Sequence, residues 1–540
     1  MFGRRRSDSK AKTANSDERH EEELLNKDEI DECAHSESLF DAARFNDLNR
    51  VIKIFTKGAS MSQVDEHGNT PLHIAAMNGH RTMCRALIVF AAPRAIWQYQ
   101  NNEGLTAEDL AVDEEIKADL HAFSHTANYS QDPNCLYNSK LINETRKWKK
   151  NSKVLFSMDG GGIRALITSQ ILVHLDGLMS NPPFYRAGRR KRGRRSASAS
   201  MDELSFGRDS GTLMQRVDYV AGTSCGGLLA LLLTTNNRKV EECRRFVFQY
   251  KDKVFCGNEV CLSKKEKLNS FIASDESAEA QLEWTGLRMI DLRIPETQRK
   301  QSEFLQPDRL ELWKAARCTS AAPYFFESYH GLSDGGLVAN NPTLTLMTDF
   351  YQTQKMDLAN SDEMNPYEPE TVGCVLSLGT GKFPVEPSEG IDVSIHPMKN
   401  PMKAAKSLLK SLTNAKNLFV LLLKECTTSN GTPVKYAREW AHSIGAPYFR
   451  FSPHLSEPMN LDETDNLKCI GIMWETELYI MTDAYRDMRQ LANFLLKKPV
   501  DSRDGKESRE GRIEQNSNNN KTRDKTPDLA KELEEQSDEV

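Results

Sequence analysis

Hydrophobic positions in this chain fall into short solid runs and longer helical stripes, divided by glycine-rich turns. Lys153 to Met158 and Val217 to Ala221 are short, apolar and rich in β-branched or aromatic side chains, which predicts buried strands. Each passes through a glycine turn into a helical pattern. Behind the first come Ile163, Leu166, Ile167, Ile171, Leu175 and Leu178 at helical spacing; behind the second comes the leucine-rich run Gly227 to Leu233. Val372 to Lys382 is a further buried strand ending in glycines, and Leu312 to Phe326 reads as a helix running into a small-residue loop. Strands alternating with helices predict an α/β domain with a mostly parallel sheet. Lys403 to Leu423 interleaves lysines with leucines. It reads first as a helix half-buried on the domain, with a membrane-surface or calmodulin-target helix as the alternative.

A different pattern precedes this domain. Gly68-Asn69-Thr70-Pro71-Leu72-His73-Ile74-Ala75 is close to the T-P-L-H-x-A signature in which a β-turn leads into a short helix. Leu39-Phe40-Asp41-Ala42-Ala43 matches Leu72 onward at a shift of 33 residues, and Gly104 to Ala111 matches Gly68 onward at a shift of 36. Residues 37–123 therefore resemble a minimal ankyrin array, all-α, with degraded outer copies acting as caps. Such an array either binds a protein partner or covers part of the next domain. Residues 124–152 are polar and read as a linker.

Composition sets limits on function. The 540 residues carry 71 Lys and Arg against 77 Asp and Glu, a formal net charge of -6, which does not point to nucleic acid as a partner. No apolar stretch approaches the ~18 residues of a membrane span, and the start is polar and basic, unlike a secretory signal. The 11 cysteines are scattered, as reduced cytosolic thiols would be. Residues 1–36 and 500–540 are charged and Ser/Asn-rich, and are expected to be disordered tails. Residues 182–211 form an insertion with a dense basic cluster from Arg186 to Arg195 followed by serines. It reads as a solvated loop; contact with anionic lipid or nuclear targeting are the sharper alternatives. The sequence leaves self-association into a homo-oligomer open.

The chemistry lies in the turns. Gly222-Thr223-Ser224-Cys225-Gly226 is a G-x-S-x-G turn between strand and helix, which exposes a serine hydroxyl on a strained backbone beside a helix N-terminus. Asp159-Gly160-Gly161-Gly162-Ile163-Arg164 offers bare N–H groups at another helix start, suited to a phosphate or an oxyanion. Neither dinucleotide nor P-loop spacing is met, and the nearby serine favours the oxyanion. Asp334-Gly335-Gly336, followed by Asn340-Asn341-Pro342, suits a carboxylate held close to another backbone.

These motifs, with Ala321-Ala322-Pro323 between the last two, resemble in order those of the patatin-like lipid acyl hydrolases. Ser377 to Lys382, Tyr448 to Pro453, Leu461-Asp462-Glu463 and Trp474 to Glu477 extend the resemblance over residues 153–499. The repeats in front point to the ankyrin-bearing, calcium-independent phospholipase A2 branch. The resemblance implies a three-layer patatin-like domain and a serine–aspartate dyad. Ser224 is then the nucleophile and Asp334 its base. N–H groups of Gly160, Gly161, Gly162 and Cys225 stabilise the oxyanion, while Asp159, Arg164, Gly222, Gly226, Gly335 and Gly336 support the motifs. No metal or other cofactor is implied, and no calcium-loop pattern is present. The expected setting is cytoplasmic, with peripheral association at a phospholipid surface that is also the substrate.

Departures from the family are Cys225 where threonine is usual, a shorter array, a short stretch from Gly257 to Trp313 and the unmatched basic loop. Alternatives are a broader lysophospholipase, lipase or acyltransferase, a catalytically impaired ankyrin scaffold, and a Ser-His-Asp triad using His330, His442 or His454.

Overall fold

A computed structural model of the chain describes residues 39–123, 133–144, 148–180, 213–234, 239–255, 312–322, 326, 328, 332–359, 361, 367–383 and 431–499. Several expectations lie outside them: both tails, the basic insertion, most of Gly257 to Trp313, Pro323, His330 and the stretch from Lys403 to Leu423.

The first layer is three helical pairs, α1 (39–44) with α2 (Leu48–Thr56), α3 (Pro71–Met77) with α4 (Arg81–Ala91), and α5 (Ala107–Leu110) with α6 (Glu114–His121). The T-P-L-H signature has a mechanical reading. Thr70 caps α3, Pro71 takes the first helical position, and the His73 ring returns to the Thr70 N–H at 3.1 Å. His73 Nε2 also meets the Leu105 carbonyl at 3.2 Å, tying one repeat to the next. Thr106 and Asp109 repeat the cap one period later.

The sequence-predicted linker is partly structured. Within residues 124–152, α7 (Pro133–Glu144) packs on the following domain, where the Asn138 side chain pairs with the backbone N–H and carbonyl of Tyr448 at 3.0 and 2.8 Å. A two-sided hydrogen bond of this kind leaves no trace in a polar composition.

The domain itself is a four-stranded sheet among the described residues, in the order β2-β1-β3-β4 and parallel throughout. The strands are β1 (Ser152–Met158), β2 (Tyr219–Gly222), β3 (Thr371–Leu378) and β4 (Tyr448–Phe451). The central strands β1 and β3 are nearly solid apolar runs because both faces are covered. Alternate residues face opposite layers. Val154, Phe156 and Met158 join a core with α8 (Ala165–Ser180). Leu155 and Val375 join one with two helices described below the sheet. β2 is half-buried rather than buried, because it is an edge strand of the described sheet.

Further along the chain come α9 (Cys225–Thr234), α10 (Val240–Tyr250), α11 (Leu312–Thr319), α12 (Gly336–Ala339), α13 (Thr343–Ala359), α14 (Thr432–Ser443), α15 (Asn466–Met481) and α16 (Tyr485–Leu495). Helices α13 and α14 form the layer against Leu155 and Val375, while α15 and α16 lie with α8 on the other side. The resulting stack is a three-layer α/β domain.

The array is fused to this domain by one continuous core. Phe55 and Phe90 stack at 4.3 Å, and Phe248 of α10 stands edge-on to both. Beside them Arg244, 3% exposed, donates to the carbonyls of Val89, Phe90 and Ala92 at the end of α4.

Candidate active site

Ser224 sits between β2 and α9 with φ +55°, a left-handed conformation that a serine adopts only under local compulsion. The turn closes because α9 starts hard against the end of β1. A Cβ added at Gly226 would stand 2.5 Å from the Met158 carbonyl oxygen and 2.6 Å from that of Asp159, so only glycine fits. The Thr223 N–H donates to the Met158 carbonyl at 3.1 Å, and the Thr223 hydroxyl to the Ala339 carbonyl at 2.7 Å. The elbow is thus tied to the glycine strand on one side and to the acid-bearing loop on the other.

Asp334 lies in that loop, 5% exposed. Its N–H donates to the Ala321 carbonyl at 2.9 Å, which is the structural use of the Ala-Ala-Pro stretch, and the Gly336 N–H donates to Oδ1 at 2.7 Å. Gly335 has φ −59°, so the glycine pair is not required here by a left-handed backbone. Burial pushes the Asp334 carboxyl above the usual carboxylate range, opposed in part by the Ser224 hydroxyl and the Gly336 N–H. Oδ2 is buried and has no hydrogen-bond partner among the described residues.

The glycine loop follows β1, next to the elbow. Of the four N–H groups expected to hold an oxyanion, one is spent on a carbonyl. Gly160 donates to the Asn340 carbonyl at 3.2 Å, while those of Gly161 and Gly162 face the Cys225 sulfur and no backbone partner takes them or the Cys225 N–H among the described residues. The Cys225 thiol is pushed up to about 12, first by burial and then by the Asp334 charge, and stays protonated. Arg164 is buried, donates Nε–H to the Gly161 carbonyl at 3.2 Å and stacks over Phe383 at 5.1 Å. Burial lowers its guanidinium to about 10. Its place orients the loop.

Asp159 is the hub that sequence reasoning treated only as motif support. Arg450 of β4 grips it in a fork at 2.9 and 2.5 Å, and Asn341 donates to it at 2.8 Å. Ser377 of β3 takes bonds from Arg450 and Asn341 at 2.8 and 3.1 Å, and Thr343 links Ser377 to Ser157. Burial pulls the Arg450 guanidinium down, and the Asp159 charge and hydrogen bonds more than offset it, leaving it raised. The alternation of polar residues in otherwise apolar strands, Ser157 and Ser377, was the available signal.

Among the described residues no histidine bonds to Ser224 or Asp334. His442 is engaged by Asn138 at 3.2 Å and lies against the Tyr137 ring, and His454 is exposed beyond β4. Among the described residues no group of three or more His, Cys, Asp and Glu side chains is gathered as metal ligands would be.

A glycine loop and a serine elbow lie at the carboxyl ends of adjacent parallel strands, where open α/β sheets place their ligand sites. The patatin-like phospholipase family matches residues 156–347, and ankyrin repeats in three copies match residues 39–122. The chain therefore matches a patatin-like phospholipase domain behind ankyrin repeats, and its homologues include calcium-independent phospholipases A2. It is 29% identical over 385 residues to the 85/88 kDa calcium-independent phospholipase A2 of Mus musculus, covering 66% of this chain and 42% of that protein. It is 25% identical over 473 residues to the intracellular phospholipase A2 of Caenorhabditis elegans, covering 82% and 39% respectively. It is 26% identical over 268 residues to patatin-like protein 1 of Oryza sativa subsp. indica, covering 42% and 58%. The chain thus spans about two fifths of the length of the first two relatives. No described helix is long and apolar enough to cross a membrane.

Proposed function

We propose that this chain is a calcium-independent phospholipase A2-like lipid acyl hydrolase, with a serine–aspartate dyad that releases fatty acid from glycerophospholipids at a membrane surface. The observation that carries the reading is the strained Ser224 beside the buried Asp334 carboxylate, under loop N–H groups that no backbone carbonyl takes. Ser224 Oγ bonds to the ester carbonyl carbon as its proton passes to Asp334 Oδ2. The carbonyl π pair moves onto oxygen, where the N–H groups of Gly161, Gly162 and Cys225 receive the charge. Collapse breaks the bond to the alkoxy oxygen, which takes the proton from Asp334 and leaves as the lysolipid. Water, deprotonated by Asp334, then attacks the acyl-serine, and Ser224 recovers its proton as fatty acid departs.

The test is fatty acid release from phosphatidylcholine vesicles with a calcium chelator present. Wild type should be active, and Ser224→Ala and Asp334→Asn should each be inactive while remaining folded. Activity in folded Ser224→Ala, or its loss on chelation alone, would refute the proposal.

A further inference from the structure

We infer that Asn340 is a further catalytic residue, its side-chain carboxamide donating a hydrogen bond to the ester carbonyl oxygen as Ser224 attacks. The inference rests on the hydrolase reading above.

Asn340 closes the acid-bearing loop just after α12. It is 6% exposed, yet among the described residues neither Oδ1 nor Nδ2 has a hydrogen-bond partner. A buried amide left unpaired costs about 1–3 kcal/mol, and folded proteins tolerate few such groups. The neighbouring residue shows the contrast. Asn341 is equally buried but spends its Nδ2 on Asp159 and Ser377. The loop can therefore satisfy a carboxamide whose role is structural, and leaves Asn340 unsatisfied.

The position of the orphan is informative. A Cβ built on Gly160 would lie 2.5 Å from Asn340 Oδ1 and 3.1 Å from Ser224 Cβ. One built on Gly336 would lie 3.7 Å from the same Oδ1 and 3.1 Å from Asp334 Oδ1. The carboxamide therefore stands between nucleophile and acid, over the bare backbone of Gly160. The second buried orphan, Asp334 Oδ2, belongs to the same site.

The backbone explains why a side chain is needed. The Asn340 carbonyl accepts the Gly160 N–H and removes it from the oxyanion donors. The same residue can return a donor through Nδ2, since a half-turn of the amide exchanges Oδ1 and Nδ2. Nδ2–H keeps its proton throughout. Its bond strengthens as charge gathers on the carbonyl oxygen, so its contribution falls on kcat more than on KM.

The experiment uses the full chain with a calcium chelator, phosphatidylcholine vesicles and p-nitrophenyl butyrate as a soluble ester. Removing one such donor should lower kcat about 10²–10³-fold for Asn340→Ala, with KM changed less than about threefold. Asn340→Asp, which keeps the shape but cannot donate at neutral pH, should lose as much. The thermal midpoint of Asn340→Ala should be no lower than that of wild type, because no hydrogen bond is lost. Near-normal kcat in Asn340→Ala, or a midpoint that falls together with activity, would overturn the inference while the dyad stands. A wild type that neither releases fatty acid nor is labelled at Ser224 by a fluorophosphonate would instead overturn the hydrolase reading, and this inference with it.

Discussion

Replacing Arg450 by methionine tests how firmly the glycine loop is held. Asp159 is fully buried and Arg450 nearly so, with nitrogen–oxygen distances of 2.9 and 2.5 Å. At an effective dielectric of ~20, two unit charges about 2.9 Å apart attract by roughly 6 kcal/mol. Desolvation of both ions offsets most of that, so the intact pair contributes little net. Breaking it is different, because a lone carboxylate then stays buried, and such losses run at about 3–5 kcal/mol. The remaining Asn341 bond at 2.8 Å eases the strain on Asp159, which puts Arg450→Met at the lower end, about 3 kcal/mol. The double variant Asp159→Asn/Arg450→Met has no buried charge and should regain at least about 2 kcal/mol of that loss. Urea unfolding midpoints of wild type, both single variants and the double would measure the cycle. A loss below about 1 kcal/mol for Arg450→Met, or additive single effects, would refute the view that this pair is a coupled anchor.

Other outcomes follow from the same geometry. Because burial raises the Asp334 pKa, the folded protein binds its proton more readily than the unfolded chain, so ionised Asp334 opposes folding above the raised pKa and is neutral in effect below the ordinary 3.8. Asp334→Asn should therefore be more stable than wild type at neutral pH, with the difference shrinking as pH falls through that window; an unchanged difference from pH 7 to 3 would contradict this. The acid limb of kcat/KM in wild type should lie above the ordinary carboxylate range for the same reason. Val338, 93% exposed beside the acid loop, should matter for vesicles and not for a soluble ester. Val338→Asp should weaken sedimentation with phosphatidylcholine vesicles about tenfold, the worth of burying one valine at ~1.5 kcal/mol, and equal binding would reject that contact. Arg244→Met orphans α4 carbonyls at about 1–3 kcal/mol each and should speed amide exchange across residues 81–91; unchanged protection would show that the guanidinium does not hold the seam.

What was legible in the sequence was whatever is encoded locally. The serine turn needs a strand, small residues and a helix in immediate succession, and Val217 to Leu233 spells out all three. The Thr70 cap and the strand-to-helix glycine loop are equally short-range. Partners brought together by strand order were not legible. Asn341 and Arg450 lie 182 and 291 positions from Asp159, and nothing near any of them marks the others. Helix α7 was missed because its stability comes from Asn138 clasping β4, not from an apolar stripe. Gly160 looked like any other loop donor, since its engagement depends on where the Asn340 carbonyl arrives.

The seam between array and domain is built as one polar network inside one apolar core, and its members come from α8, α10 and α15 of the domain. Helix α8 leaves the glycine loop and carries Gln170, whose Nε2 is shared between the Val89 carbonyl of the array and Glu477 of α15 at 3.2 and 2.6 Å. One turn on, His174 meets the same carboxylate at 2.8 Å, with both side chains fully buried. Helix α10 follows α9, the helix behind Ser224, and supplies Arg244, which bonds Gln170 at 3.2 Å as well as the α4 carbonyls. Partly satisfied buried networks are worse than none, because each stranded group pays its full desolvation cost. Removing residues 39–123 would take the Val89 carbonyl from Gln170, take all three α4 carbonyls from Arg244 and open the Phe248 face to water. Deleting the repeats therefore removes part of the domain's own core, and the α/β domain stands on the array as a shared structure rather than carrying it as a detachable module.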